Sequence, residues 1–343
     1  MTINPGMWWT ALSRLVQIDK QSEWEKLDIV SKWLIATRSA VTTVTLYSCV
    51  IAGLFAVRGG HFLVLPWIVM TVGLFLAHGT NNILNDYTDF SRGIDTDNYF
   101  RTQYGVHPLV QKFWGRPTQM RWFLVSGFLA TMAGFYILLF TRFDPVVIGF
   151  FAYGALMLLF YTYPLKHFAV GELTIFLIWG PVIIGGVYYV LAGNWSWIVA
   201  LAGVPFGLST ASINIGKHID KSDEDREKGV TTLPVLLGQT ASRYLNIGVI
   251  ALAYLVVLYL VFVPHFLTPV MLIVLFALPR AWKAVQRLSK PRPSEPPAGY
   301  PIWPRWFSTL AFMHNRQFGN LFILGVIADT VLRVVPATSG FWR

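Results

Sequence analysis

The sequence predicts an all-α fold, a multi-pass transmembrane helical bundle with about nine spans. Three observations predict it: a composition that is 55% hydrophobic and 13% charged, nine apolar stretches of membrane-spanning length, and basic residues concentrated in alternate loops. Soluble domains carry roughly a quarter charged residues, so the composition argues against a soluble enzyme. It is also too apolar for a disordered chain. The single cysteine, Cys49, excludes a disulfide framework and a cysteine-based zinc site.

The apolar stretches define the organisation of the chain. A helix of about 20 mostly apolar residues crosses the ~30 Å hydrocarbon core of a bilayer. Nine stretches are predicted to do so, at 36–57, 62–85, 120–140, 145–163, 171–192, 196–216, 241–263, 266–282 and 318–336. The eighth is the weakest, because it is short and has prolines near its ends.

The spans and the segments around them divide the chain into three predicted regions. Residues 1–35 are predicted to be an interfacial segment, because residues 1–32 are too charged for a signal peptide. Residues 36–336 form the predicted transmembrane domain, and 337–343 a tail. Within that domain, the proline- and tryptophan-rich stretch 290–306 is predicted to be an extended cytoplasmic loop.

Basic residues separate the two sides of the predicted membrane domain. With nine spans, 23 of the 27 Lys and Arg residues fall on the side of the N-terminus, and only Arg58, Arg142, Arg333 and Arg343 fall on the other. The positive-inside rule therefore predicts a multi-pass protein of the cell (inner) membrane with a cytoplasmic N-terminus. The net charge of +10 is then explained by topology and contact with membrane lipid, and no nucleic-acid partner is expected.

Nine of the 17 acidic residues fall in two short stretches at predicted cytoplasmic span ends. Crowded carboxylates at a membrane boundary repel each other unless a cation neutralises them, and Mg²⁺ does so while holding phosphate oxygens. With the Lys and Arg nearby, the pattern suggests a diphosphate bridged by Mg²⁺. We call the stretches the first acidic motif (81–97, with Asp86, Asp89, Asp95 and Asp97) and the second acidic motif (214–229, with Asp220, Asp223, Glu224, Asp225 and Glu227).

Helical spacing sets which of these side chains share a face. In the first acidic motif, Asn85 and Asp89 lie one turn apart, a spacing that suits shared ligation of a cation. In the second, Asp220 and Glu224 lie one turn apart, whereas Asp225 faces away from Glu224. The competing interpretations are a solvated helix end for the first motif and a polar loop with ion pairs, such as Lys221 with Asp225, for the second.

Four separate stretches carry a resemblance to a known family. They are Asn85-Asp86-Tyr87-Thr88-Asp89 with Gly93 and Asp95; Tyr161-Thr162-Tyr163-Pro164 with Lys166; Gly171-Glu172 with Gly180-Pro181, Gly186 and Tyr188-Tyr189; and Asp225-Arg226 with Gly229, Thr232-Leu233-Pro234-Val235 and Gly238. The sequence thereby resembles the UbiA superfamily of intramembrane aromatic prenyltransferases, over residues 38 to about 240. Within this superfamily, the placement of an acid at Asp95 is most similar to the motif of the menaquinone branch, which prenylates dihydroxynaphthoate. One departure is that Lys221 stands where the family has an acid, four residues before Asp225. Because of this departure, Asp220, Asp223 and Glu224 all remain candidates for the metal ligand that partners Asp225.

The resemblance implies helices around a central cavity, with the two acidic motifs facing each other over Mg²⁺ and an allylic prenyl diphosphate. The implied reaction transfers the isoprenyl chain to an aromatic, quinone-precursor-like acceptor and releases pyrophosphate. The candidate metal ligands are Asn85, Asp89, Asp95, Asp220, Glu224 and Asp225. The candidate catalytic residues are Asn85, Asp86, Asp89, Tyr161 and Lys166. The candidate diphosphate-binding residues are Arg92, Lys166, Lys217 and Lys221.

The basic residues would stabilise the leaving pyrophosphate, and the ring of Tyr161 would shield the allylic cation. Other interpretations keep the fold and change the chemistry. The acceptor could be hydroxybenzoate-like, homogentisate-like, a chlorin, haem or a lipid glycerol, or the site could cyclise or hydrolyse the diphosphate. A secondary transporter is disfavoured, because transporters place their acids near the midplane of repeated helices.

Overall fold

The structure, a computed structural model, describes residues 3–95, 105–300 and 302–335. All regular secondary structure within these ranges is helical, which confirms the predicted all-α fold. Asp97 of the first acidic motif, Arg101 and the predicted tail 337–343 lie outside the described residues.

Among the described residues, eight helices are long and apolar enough to cross a membrane. They are α4 (Ser39–Arg58), α5 (Val64–Ser91), α6 (Arg116–Phe140), α8 (Gly171–Ala192), α9 (Trp197–Asp220), α12 (Gln239–Phe262), α13 (Pro269–Leu288) and α14 (Phe307–Val334). The shorter apolar helix α7 (Pro145–Phe160) lies where the fourth span is predicted. The described residues also form five shorter α-helices and a 3-10 helix at Leu165–Phe168. The shorter α-helices are α1 (Pro5–Ser13), α2 (Gln21–Lys26), α3 (Ile29–Ala36), α10 (Ser222–Glu227) and α11 (Leu233–Leu237).

Together with the shorter α7, the eight long helices follow the order of the nine predicted stretches, but three of them differ at an end that matters for the site. Helix α5 continues to Ser91 and α9 to Asp220, so much of each acidic motif is helical rather than a loop. Helix α14 begins at Phe307 instead of residue 318. Hydropathy locates the apolar core of a helix but not its polar end, because a polar turn can extend a span beyond the hydrocarbon.

The chain forms two compact units. The first comprises Met1–Leu46 and Ile68–Leu165 and contains the first acidic motif. The second comprises Tyr47–Trp67 and Lys166–Arg343 and contains the second acidic motif.

In the first unit, the N-terminal segment (residues 3–38) folds into helices α1 to α3 instead of running as a simple lead-in. Buried Trp24 stacks on Phe113 with ring centroids 5.2 Å apart. Ala11, Trp33 and Val106 belong to the same buried cluster. Burial of such aromatic side chains stabilises a fold strongly, so these helices are an integral part of this unit. Their predicted location at the membrane interface stays a prediction.

In the second unit, helices α8 and α9 pack closely through small residues. A Cβ atom added at Gly207 would lie 2.5 Å from the carbonyl oxygen of Phe176, and one added at Gly203 would lie 2.8 Å from that of Gly180. Only glycine permits this approach, as in other close helix pairs of membrane proteins. A π-helical turn over Ile178–Val182, which contains Pro181, adjusts α8 at the crossing. The crossing fixes the start of α8 against the end of α9.

The described part of the proline-rich stretch, 290–300 and 302–306, contains no regular helix and belongs to the second unit, and its cytoplasmic location stays a prediction. Arg292 Nη1 donates to the backbone oxygen of Asp220 over 2.8 Å. The Arg287 guanidinium lies 3.9 Å from the ring centroid of Trp306, within cation–π distance. The stretch is therefore held against the end of α9.

Candidate active site

Helix α5 carries the polar residues of the first acidic motif on one face. Asn85 Nδ2 lies 3.2 Å from Asp89 Oδ2 and 3.2 Å from Thr162 Oγ1. Asp86 is fully buried, and its Oδ1 lies 3.2 Å from Arg38 Nη2. The predicted pairing of Asn85 with Asp89 is therefore present as a contact, and their role as ligands stays a prediction.

A third acid joins this motif with a histidine. Asp86, Asp95 and His107 are all buried, and each offers a ligand atom within 4.8 Å of the others. His107 Nε2 lies 3.2 Å from Asp95 Oδ2. His107 was not among the predicted site residues, because it lies twelve positions after Asp95 and outside the first acidic motif.

The remaining candidates of the first unit lie at its edge. Arg92 is exposed and its guanidinium lies 4.1 Å from the ring centroid of Tyr163, with no acid of the motif among its described ion pairs. Tyr161 is half-buried at the C-terminal cap of α7. Arg92 belongs to the first acidic motif, whereas Tyr161 lies far from it in the sequence, and the functional roles of both residues remain predictions.

In the second acidic motif, Asp225 has the surroundings expected of a ligand. Lys221 Nζ lies 3.1 Å from Asp225 Oδ1, so the ion pair considered as a competing interpretation is present. Asp225 Oδ2 is buried and accepts no hydrogen bond from any described residue. Burial alone would raise the pKa of Asp225, but the positive charges of Lys221, His218 and Lys166 hold it below its usual value.

The other charged residues of the second acidic motif differ in burial. Glu224 Oε2 is also buried without a hydrogen bond from the described part of the chain, and burial raises the pKa of this carboxyl group. Lys217 is half-buried on α9, one turn before Lys221. Asp223, by contrast, is exposed and lies 3.6 Å from the exposed Arg226.

Asp220 departs from its predicted role as a metal ligand. Its Oδ1 accepts from the backbone N–H of Phe307, and its Oδ2 accepts from the backbone N–H groups of Trp306 and Ser308 and from Ser308 Oγ, over 2.7–3.0 Å. Both oxygens are thus used to cap the start of α14. Sequence spacing could not reveal this, because the donors lie 86 to 88 residues further along the chain.

A second buried pair lies where α8 begins and α9 ends. Glu172 Oε1 is hydrogen-bonded to His218 Nδ1 and accepts from the backbone N–H of Leu233. Glu172 Oε2 is buried with no hydrogen-bond partner in the ranges that the structure describes. Glu172 was predicted only as part of the family pattern, and His218, which has no recognisable local motif, was not predicted.

Residues 46–314 match the model of the UbiA prenyltransferase family. The chain belongs to this family. The predicted superfamily is thus confirmed, and the protein is a member of a prenyltransferase family. The menaquinone branch is not established by this match.

The similar proteins include UbiA prenyltransferase domain-containing protein 1 of Rattus norvegicus, 27% identical over 188 residues, or 54% of each chain. The match spans about half the length of that relative. A solved structure of a digeranylgeranylglyceryl phosphate synthase aligns with a TM-score of 0.55 at 16% identity, covering 86% of this chain and 98% of the other. A UbiA homolog from Archaeoglobus fulgidus, bound to DMAPP and Mg²⁺, aligns with a TM-score of 0.50 at 13% identity over 84% and 98% of the two chains. At these identities, the structures show a shared fold.

The residues of this UbiA family member fit a magnesium ion. Mg²⁺ prefers carboxylate oxygens and water to nitrogen or sulfur ligands. Asp225 Oδ2 and Glu224 Oε2 are buried oxygens without a hydrogen bond from described residues, and a buried acceptor left unsatisfied is costly. A cation bound at either oxygen would satisfy it.

Proposed function

We propose that the protein is a Mg²⁺-dependent membrane prenyltransferase that joins an isoprenyl chain from an allylic diphosphate to an aromatic, quinone-precursor-like acceptor. The observation that carries the proposal is the second acidic motif, where Asp225 presents a buried oxygen beside Lys221 and Lys166. The Archaeoglobus homolog with DMAPP and Mg²⁺ supports it through the shared fold.

Asp225 and Glu224 are the proposed metal ligands of the second unit, and Asn85, Asp89 and Asp95 those of the first. When bound, Mg²⁺ would supply Lewis-acid stabilisation of the pyrophosphate leaving group. Asp220 is omitted because both of its oxygens are already engaged.

Lys166 and Lys221 are the proposed contacts of the diphosphate, with Lys217 and Arg92 as outer contributors to the positive field. A fixed positive charge beside the departing oxygen stabilises it without reorganisation during the reaction. Lys166 lies two residues after Pro164, and its positive charge helps to lower the pKa of Asp225.

The proposed reaction breaks one carbon–oxygen bond and forms one carbon–carbon bond. The carbon–oxygen bond of the allylic diphosphate breaks, and its electron pair leaves with pyrophosphate. A ring carbon of the acceptor then bonds to the allylic carbon and loses its proton. Glu172 is proposed to accept that proton at Oε2, since His218 and Leu233 hold its other oxygen. Tyr161 is proposed to shield the cation with its π face.

The predicted multi-pass arrangement, with the acidic motifs and the N-terminus in the cytoplasm of a cell (inner) membrane, is part of the proposal. The eight spanning helices and the excess of basic residues beside the motifs support it. The menaquinone-like spacing of Gly93 and Asp95 supports a naphthoate or related quinone precursor as the acceptor.

The test uses detergent-solubilised protein, Mg²⁺, and a panel of prenyl diphosphates and acceptors, with products identified by mass spectrometry. Asp89→Ala and Asp225→Ala should each lower Mg²⁺-dependent pyrophosphate release by about 100-fold or more, the size of effect seen when one charge-stabilising group is removed. Asp223→Ala is the matched control, because Asp223 is an exposed acid of the same motif. Turnover of Asp225→Ala at the parent's rate would refute the metal assignment, and a glycerol-lipid product would correct the acceptor.

A further inference from the structure

The N-terminal segment lies outside the family match, which begins at residue 46, yet it contacts the first acidic motif. Two routes connect them within the first unit. One runs through the stretch 105–111, and the other through the turn between α3 and α4.

The first route is a chain of three hydrogen-bonded contacts. Gln111 Nε2 donates to the backbone oxygen of Ile18 over 2.8 Å. Gln111 Oε1 accepts from the backbone N–H of His107 over 2.8 Å. The ring of His107, which is 2% exposed, then reaches Asp95 Oδ2 over 3.2 Å. Gln111 therefore joins the N-terminal segment to the histidine that contacts the acid.

The second route starts at Arg38, whose φ of 55° lies in the left-handed region that favours glycine. A non-glycine residue whose backbone has this conformation is strained, and contacts elsewhere must compensate for the cost. The Arg38 guanidinium provides them, with Nη2 at 3.2 Å from Asp86 Oδ1 and 3.5 Å from Asn85 Oδ1. In the same turn, the backbone oxygen of Thr37 accepts from Asn82 Nδ2 over 2.8 Å.

We propose that the N-terminal segment positions the first acidic motif for cation binding, and that His107 is the positioning residue of Asp95. The inference rests on the proposed function. A carboxylate that ligates a metal is commonly oriented by a hydrogen bond to its other oxygen, and loss of such a partner costs about 10–100-fold in metal affinity. His107 supplies that bond to Asp95, and Gln111 fixes the backbone that carries His107.

The experiment measures binding of Mn²⁺, as a paramagnetic substitute for Mg²⁺, to the solubilised full chain with inorganic pyrophosphate present. His107→Phe keeps a ring and removes the hydrogen bond, and His107→Gln restores an N–H donor. Gln111→Glu keeps the acceptor for His107 and removes the donor to Ile18. Ser126→Ala is the control, because it removes a buried hydrogen bond to Thr80 elsewhere in the same unit.

We expect His107→Phe to weaken Mn²⁺ binding about 10–100-fold, His107→Gln to recover most of the loss, and Gln111→Glu to lie between them. The KM for Mg²⁺ should rise more than kcat falls. Parent-like Mn²⁺ affinity in both His107→Phe and Gln111→Glu would overturn the positioning role. The positioning role would also be overturned if the parent protein releases pyrophosphate but Ser126→Ala loses as much Mn²⁺ affinity as His107→Phe. If the parent itself binds no Mn²⁺, the proposed function fails before the positioning role is reached.

Discussion

Replacing Asp220 by asparagine separates a structural role of this acid from a ligand role. The carboxylate accepts four hydrogen bonds at the start of α14, three of them on Oδ2 and one on Oδ1. Asparagine retains one oxygen and presents an N–H₂ group to the remaining donor. One bond to a charged group is therefore lost, at about 1.5–3 kcal/mol. The other three become neutral and fall to roughly half their strength.

Removal of a buried charge also recovers part of its desolvation cost, which offsets some of this loss. We therefore expect Asp220→Asn to lower the free energy of unfolding by about 2–4 kcal/mol. The assay is thermal and denaturant unfolding in detergent, followed by tryptophan fluorescence, with and without Mg²⁺ and pyrophosphate. The stabilisation that Mg²⁺ gives should be unchanged, because the ligands are elsewhere.

Asp223→Asn is the matched control, three residues away on the same short stretch. Its exposed pair with Arg226 is expected to contribute about 0–1 kcal/mol. Unfolding of Asp220→Asn at the parent's midpoint, together with loss of the Mg²⁺ effect, would refute the capping argument and restore Asp220 as a ligand.

Three further predictions concern other parts of the molecule. Glu172→Gln should lower kcat and leave the KM for prenyl diphosphate nearly unchanged, because it removes a proton acceptor and keeps the shape; equal changes in both would contradict that role. Asp329→Ala should destabilise the protein by about 3–5 kcal/mol, since it removes the buried carboxylate whose Oδ2 lies 2.9 Å from Nη1 of half-buried Arg58; an unchanged unfolding midpoint would argue against it. Burial alone would raise the pKa of Asp28, but hydrogen bonds from Ser31, Trp8 and Asn4 outweigh it and hold the pKa at about 2. A lowered folded-state pKa gives stability that is present above the ordinary value of 3.8 and is lost as the pH falls toward 2, so melting curves of the parent and Asp28→Asn should converge over that window.

The sequence predicted most of the helices because hydropathy is a local property. Each apolar stretch carries its own signal, so eight of the nine predicted spans correspond to described helices of membrane-spanning length, and the fourth corresponds to the shorter helix α7. The contact of Asn85 with Asp89 followed from helical spacing. The family pattern was recognisable for the same reason, since its residues are close in the sequence.

The roles of Asp220 and His107 could not be predicted in this way. Asp220 and Asp225 have similar neighbours in the sequence. Asp220 nevertheless accepts hydrogen bonds from three backbone N–H groups near residue 307, whereas Asp225 pairs with Lys221. His107 reaches Asp95 only because Gln111 and the N-terminal segment hold its backbone. Such partners are set by tertiary packing, which no local spacing encodes.

The glycine contact between α8 and α9 has a consequence for how the family fold can vary. A methyl group at Gly207 would meet the backbone of Phe176, which cannot rotate away as a side chain can. The two helices would have to separate, and Glu172 and His218 stand on these same helices at the end where their hydrogen bond is made. Gly207→Ala, which adds a single methyl group and changes no charge, is therefore expected to weaken the buried hydrogen bond between Glu172 and His218.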